Sequence, residues 1–160
     1  MKKINFLPLS VLMMCLFLFS CSSDDEKEIE TLIGFNDLPM ISQTFLNQYF
    51  GGADNVAKVE KDEEQQITLY EVETKDGYEL VFNSSGYWQE IDAPSGKTIN
   101  PEILPEPIVA TLNNQYHGYG VIEINTTGEN YHLELSNNQG GGSIELTFNQ
   151  SGEILWSSMN

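Results

Sequence analysis

The chain contains no arginine and only seven basic residues, all lysine, against 24 aspartates and glutamates. Its 160 residues carry a formal net charge of -17. A nucleic-acid partner is not expected, because phosphate contacts need a basic patch and the sequence supplies none. Cysteine is nearly absent. Cys15 and Cys21 lie close to the N-terminus, so the body of the chain has no disulfide to rely on. Histidine is limited to His117 and His132, neither near a Ser or Asp motif. No nucleophile elbow, phosphate loop or zinc-ligand spacing occurs. These absences lead to the expectation of no catalytic residue, no cofactor and no metal site, and of a protein that is not an enzyme. A long apolar run is missing too, except at residues 6–19, where Pro8 and Ser10 interrupt it. That run is too short for a transmembrane helix.

What is present begins with that run. Lys2 and Lys3 precede it, and Leu18-Phe19-Ser20-Cys21 follows. The order is that of a bacterial lipobox, with an aliphatic residue at minus three and a small residue before the cysteine. Residues 1–20 are expected to be a lipoprotein signal peptide, and Cys21 the lipidated residue. Its removal takes away two lysines and no acid, leaving 5 minus 24, or -19. Ser22-Ser23-Asp24-Asp25-Glu26 resembles the export signal of surface lipoproteins in the Bacteroidetes. The expected location is the outer membrane, attached by the lipid at Cys21 and exposed at the cell surface, with the periplasmic side as the alternative. Residues 21–36 are expected to be an acidic tether that becomes ordered near its end.

The body uses one short stretch twice. Residues 79–86 read Glu-Leu-Val-Phe-Asn-Ser-Ser-Gly, and residues 145–152 read Glu-Leu-Thr-Phe-Asn-Gln-Ser-Gly. In each, Leu and Phe alternate along a strand, and Asn and Gly then turn the chain. The architecture predicted is α+β: a tandem repeat of a short helix packed on a four-stranded antiparallel meander. Copy 1 covers 37–92, a connector 93–103, and copy 2 covers 104–160. The first helix is expected to be capped by Asp37 and to bury Ile41, Phe45, Leu46, Tyr49 and Phe50, ending at Gly51-Gly52. The second carries Ile108, Leu112 and Tyr116 on one face. Strands are predicted at 56–63, 67–75, 78–83 and 87–91, then at 121–125, 129–136, 143–149 and 153–157.

Leu-Pro, a helix ending in Asn-Gln-Tyr, then Tyr-Glu-Val, Glu-Leu-x-Phe-Asn and Gly-Tyr-Trp resemble the PepSY-like, beta-lactamase-inhibitor-like family of Bacteroidetes lipoproteins. The likeness covers roughly residues 37–160, and departs from the pattern at Tyr131-His132-Leu133 and in the glycine-rich stretch 137–142. It implies an extracytoplasmic protein-binding or inhibitor-like role and carries no catalytic residues.

Strand register locates a candidate face. Closing the first hairpin at Lys75-Asp76-Gly77 sets Val72 against Leu80 and Tyr70 against Phe82, with Glu73 against Glu79 and Glu71 against Val81 on the other side. The second hairpin sets Leu133 against Leu146, with Glu134 against Glu145 and His132 against Thr147. Like charges directly opposed weaken a strand pair. A fully hydrated face makes that repulsion small; a functional face would use it to meet Lys or Arg of a protein partner. The candidate binding residues are therefore Glu71, Glu73, Glu79, His132, Glu134 and Glu145, with Tyr87 and Trp88 as aromatic contacts. The orientation of Trp88 and Trp156 stays open, because a bulge after Ser85-Gly86 or Ser151-Gly152 would reverse it. Binding of an extracellular ligand or cation is the alternative. Two carboxylates are too few for a tight calcium site; three or more converging would indicate one.

Overall fold

The computed structural model describes residues 29–64, 66–137, 140 and 142–159. The expected signal peptide, Cys21 and the first part of the expected tether lie outside the described residues. The fold is α+β, with two helices and one nine-stranded antiparallel sheet. Strand β1 is Ile29–Leu32, helix α1 Met40–Tyr49, then β2 Val56–Glu64, β3 Ile67–Thr74, β4 Glu79–Asn83 and β5 Trp88–Asp92. Helix α2 is Glu106–Gln115, followed by β6 Tyr119–Thr127, β7 Asn130–Asn137, β8 Ser143–Phe148 and β9 Ile154–Met159. The sheet order is simply β1 to β9.

One expectation changes here. The separate four-stranded sheets are joined, because β5 pairs with β6 through Glu90–Asn125, Ile91–Ile124 and Asp92–Glu123. The stretch 21–36 is ordered near its end. Its end forms β1, which pairs with the outer side of β2. The connector is also more ordered than a linker. Ala93 and Ile99 donate backbone hydrogen bonds to Ile122 and Val121, and Ile99 is buried in the core.

Register follows from alternation. A single apolar row crosses seven strands: Val59, Val72, Leu80, Ile91, Ile124, Leu133 and Leu146 stand opposite one another in turn. All are buried on the face covered by the helices. The predicted pairs of both hairpins occur as expected. A slip of one residue would drive this whole row into water, which is why the pattern fixes register so firmly.

The helices are short, so packing rather than propensity holds them. Asp37 does not cap α1. Its carboxylate instead accepts from the backbone N–H of Gly34, closing a 3-10 turn at Phe35–Asp37, and Pro39 takes the N-cap position. The buried face of α1 is centred on Ser42 and Leu46, with Ile41 left exposed. The reason is a contact at the end of the repeated stretch. The Ser42 hydroxyl donates to the carbonyl of Gly86 at 3.0 Å, and a Cβ on Gly86 would stand 2.7 Å from Pro39 Cβ. In the second half, Thr111 Oγ1 donates to the carbonyl of Gly152 at 3.0 Å, and a Cβ there would meet the Pro107 carbonyl oxygen at 2.5 Å. Both glycines have positive φ. Each ends its stretch because a helix start lies directly on it.

Candidate functional site

The face opposite the helices repeats the apolar row one residue away, in acid. Glu73 on β3 opposes Glu79 on β4; Glu79 opposes Asp92 on β5; Asp92 opposes Glu123 on β6; Glu123 opposes Glu134 on β7; and Glu134 opposes Glu145 on β8. Strands are about 4.8 Å apart, so the row runs for about 24 Å. Lys58 on β2 stands at one end, opposite Glu73, and forms an ion pair with Glu60 at 2.6 Å. Ser158 on β9 stands at the other. A neighbouring row on the same face contains Glu60, Glu71, Val81, Glu90, Asn125, His132, Thr147 and Trp156.

Carboxylates converge at the middle. Glu90 and Asp92 are two apart on β5, so both project from one face, and Glu123 joins them from β6. Their oxygens lie within 4.8 Å of one another, and all three residues are partly buried. Burial, then the neighbouring charges of Glu90 and Glu79, pushes Asp92 up to about 6. Burial and the charges of Asp92 and Glu134 raise Glu123. Burial and the charge of Glu123 raise Glu90, and Glu71 rises through burial and the charge of Glu60. Asn125 Nδ2 relieves part of this by donating to Glu123 Oε1 at 2.7 Å. The centre therefore favours a proton or another cation.

Of the residues singled out in the sequence, Glu71, Glu73, Glu79, His132, Glu134 and Glu145 share this face. The His132 Nδ1 and Thr147 Oγ1 atoms stand 2.9 Å apart on it. Trp88 does not join them. A bulge between Val81 and Phe82 sets Trp88 opposite Phe82, on the helix side, where it packs on Phe45 and Tyr131. Tyr87 is exposed in the turn before β5, its backbone N–H donating to Asn83 Oδ1. The aromatic on the acidic face is Trp156, opposite Thr147 and 52% exposed. Glu90, Asp92 and Glu123 are the residues the hairpin pairings missed. Their signal was present: Ile91 and Ile124 belong inside by alternation, which turns the acids beside them outward.

A separate surface cleft of about 450 Å³ lies beyond the end of α1, lined by Tyr49, Asn55, Asp76, Tyr78 and Pro101 among others. Its Asp76 accepts from Asn55 Nδ2 at 2.8 Å and from Lys97 Nζ at 3.0 Å, and these hold its carboxyl at about 2. It joins the first hairpin turn to the connector.

The fold and the sequence together place the chain in a known family. The sequence model described as putative beta-lactamase-inhibitor-like, PepSY-like matches residues 25–80 and 68–156. The chain belongs to this PepSY-like family. Among solved structures it is similar to a putative periplasmic protein of unknown function from Bacteroides vulgatus, at 29% identity and a TM-score of 0.68, covering 82% of this chain and 99% of that one. It is similar to a putative periplasmic protein of the DUF2874 family from the same organism, at 23% identity and a TM-score of 0.70, covering 81% and 96%. It is also similar to a putative calcium-regulated periplasmic protein from Bacteroides thetaiotaomicron, at 24% identity and a TM-score of 0.70, covering 81% and 96%. The search of curated proteins gives no match.

Proposed function

We propose that this protein is an extracytoplasmic, non-catalytic binding module, anchored by lipid at Cys21 in the outer membrane, that engages a basic protein surface through its acidic sheet face. The observation that carries the reading is the acidic row from Glu73 to Glu145. One cation is held at 2.3–2.6 Å by ligands around a point, whereas this row extends for about 24 Å. A row of that length suits several Lys or Arg side chains of one partner. The periplasmic relatives support a location outside the cytoplasm, and the Cys21 lipobox supports the anchor. The body is read as two copies of one unit, and the matching contacts of Ser42 with Gly86 and Thr111 with Gly152 support that reading.

The test is capture from the outer-membrane fraction by immobilised protein, compared with the Glu123→Gln/Glu134→Gln variant. A specific partner should be held by the natural sequence at low salt, released as salt rises, and lost by the variant. Equal capture by both proteins would refute the reading. For the anchor, Cys21→Ser should release the protein from the membrane fraction, and protease treatment of whole cells should degrade it if it is surface-exposed.

A second reading is favoured by one observation, the convergence of Glu90, Asp92 and Glu123. Three carboxylates offer up to six hard oxygen ligands, a number suited to a divalent cation such as calcium when waters complete the shell. Calorimetric titration with calcium tests it. Saturable binding lost in Asp92→Asn would support the cation, and no heat above dilution would remove it.

A further inference from the structure

Strand β9 differs from the rest of the sheet. Among the described strands it alone carries no charged residue, reading Ile-Leu-Trp-Ser-Ser-Met. It is also an edge: it pairs with β8 on one side, and no described element pairs with the other. Edge strands are normally guarded by Lys, Pro or inward-facing charge, because an open row of N–H and C=O groups accepts another strand. None of these guards is present between Ile154 and Met159. Three large apolar side chains of this edge are exposed: Leu155 50%, Trp156 52% and Met159 82%.

The surroundings limit what can fit. On the acidic face, the row through Glu134 and Glu145 reaches β9 at Ser158, and the row through His132 and Thr147 reaches it at Trp156. A tenth strand would place one residue opposite Ser158 and, two positions away, another opposite Trp156. Ser158 is small. A Lys or Arg opposite it can therefore extend back over Ser158 to Glu145, about 10 Å away across two strand spacings. A second Lys or Arg, opposite Trp156 on the same face, would lie against the indole as a cation–π contact. A second copy of this chain would bring another strongly negative body and a β9 without a basic residue, so charge selects against it.

We propose that β9 is a strand-addition site for an extended segment of a partner protein with Lys or Arg alternating with apolar residues. The proposal rests on the acidic-face reading and adds the mode of engagement: backbone pairing at β9 gives the ladder, and the acidic row selects the basic side chains. Recognition by strand addition takes affinity from main-chain hydrogen bonds and specificity from alternate side chains.

The test uses three short synthetic peptides with the ¹⁵N-labelled protein. The first alternates Lys and Val, the second is the same sequence N-methylated at alternate residues, and the third replaces Lys by Glu. The first peptide should bind and slow hydrogen exchange at the β9 amides that face outward. The N-methylated peptide has the same charge but cannot complete the ladder, and should bind about tenfold or more weakly. The Glu peptide should not bind, and Trp156→Ala should weaken the first peptide. Equal binding of the first two peptides, without β9 protection, would overturn strand addition and leave the acidic face as a purely electrostatic surface. Equal binding of the Lys and Glu peptides would overturn the charge selection on which both readings depend. Protection of β9 amides that grows with protein concentration and without peptide would make a second copy the occupant, and would also overturn the proposal.

Discussion

Replacing Asp92 by Asn should make the protein more stable at neutral pH, although Asp92 has neighbours on every side. Its carboxyl is pushed from 3.8 to about 6, first by burial and then by Glu90 and Glu79. A shift of about two units corresponds to about 3 kcal/mol at 1.36 kcal/mol per unit. Asp92 is only partly buried and its neighbours titrate with it, so screening reduces the figure to about 1–2 kcal/mol. The folded-state pKa is raised, so the folded protein holds a proton that the unfolded chain releases between about pH 4 and pH 6. Stability is therefore greatest below the unfolded value and falls as pH rises through that window. Asp92→Asn removes this contribution. Urea unfolding should show the variant and the natural sequence alike at pH 4. At pH 7.5 the variant should gain about 1–2 kcal/mol with an unchanged m-value. The other raised groups, Glu71, Glu90 and Glu123, act in the same direction, so a weaker slope should persist in the variant. A variant less stable than the natural sequence at pH 7.5 would refute the reasoning, because Asp92 would then be held by favourable contacts that outweigh its repulsion.

Three further outcomes follow from the packing. Gly86→Ala and Gly152→Ala should each cost about 2–4 kcal/mol in urea unfolding, combining positive φ with a collision against the start of a helix. Gly96, also at positive φ but with nothing near its missing Cβ, should cost only the backbone part, about 1 kcal/mol. Trp88→Ala should cost about 3 kcal/mol or more, because Trp88 packs on Phe45 and Tyr131, whereas Trp156→Ala should stay within about 1 kcal/mol. Asp76→Asn should lose up to about 1 kcal/mol at pH 7, the bonds from Asn55 and Lys97 being solvent-exposed. Because the Asp76 carboxyl is depressed to about 2, that loss should shrink as pH falls from about 4 towards 2, as urea midpoints at pH 7 and pH 3 would show.

Much of the fold was legible because strand alternation is a local signal. Val72, Leu80 and Phe82, then Leu133, Leu146 and Phe148, are spaced two apart, and a short turn between them leaves little choice of partner. The join between the halves was not legible this way. Nothing within residues 88–92 or 119–127 states that β5 lies against β6, since the connector between them contains a helix and a 3-10 turn. The face of Trp88 stayed open for a related reason: one extra residue at the β4–β5 bulge exchanges the faces, and the backbone that makes it has no distinctive side chain. The Asp37 cap failed because an acceptor that caps a helix suits a 3-10 turn equally well. A better signal for the site lay in adjacent pairs. Val72-Glu73, Glu79-Leu80, Ile91-Asp92, Glu123-Ile124, Leu133-Glu134 and Glu145-Leu146 each join a buried aliphatic to an acid, and their order reverses strand by strand, as an antiparallel sheet requires.

Those pairs also explain how the sheet tolerates its acidic face. Aligning the aliphatic row from Val59 to Leu146 aligns the acids beside it, because each acid is one residue from a core position. Register cannot shift to separate the charges without exposing the core. Each opposed pair costs a fraction of a kcal/mol, and the partly buried centre at Glu90, Asp92 and Glu123 costs more. A cationic ligand that binds only the folded state would recover this energy and appear as added stability. The gain must depend on ionised carboxylates, so it should be larger at pH 7.5 than at pH 4. Thermal unfolding with the alternating Lys-Val peptide at the two pH values measures it. The midpoint should rise with peptide concentration much more at pH 7.5 than at pH 4. An equal rise at both would mean that the ligand is held without the acids, and that their alignment is only a consequence of the core.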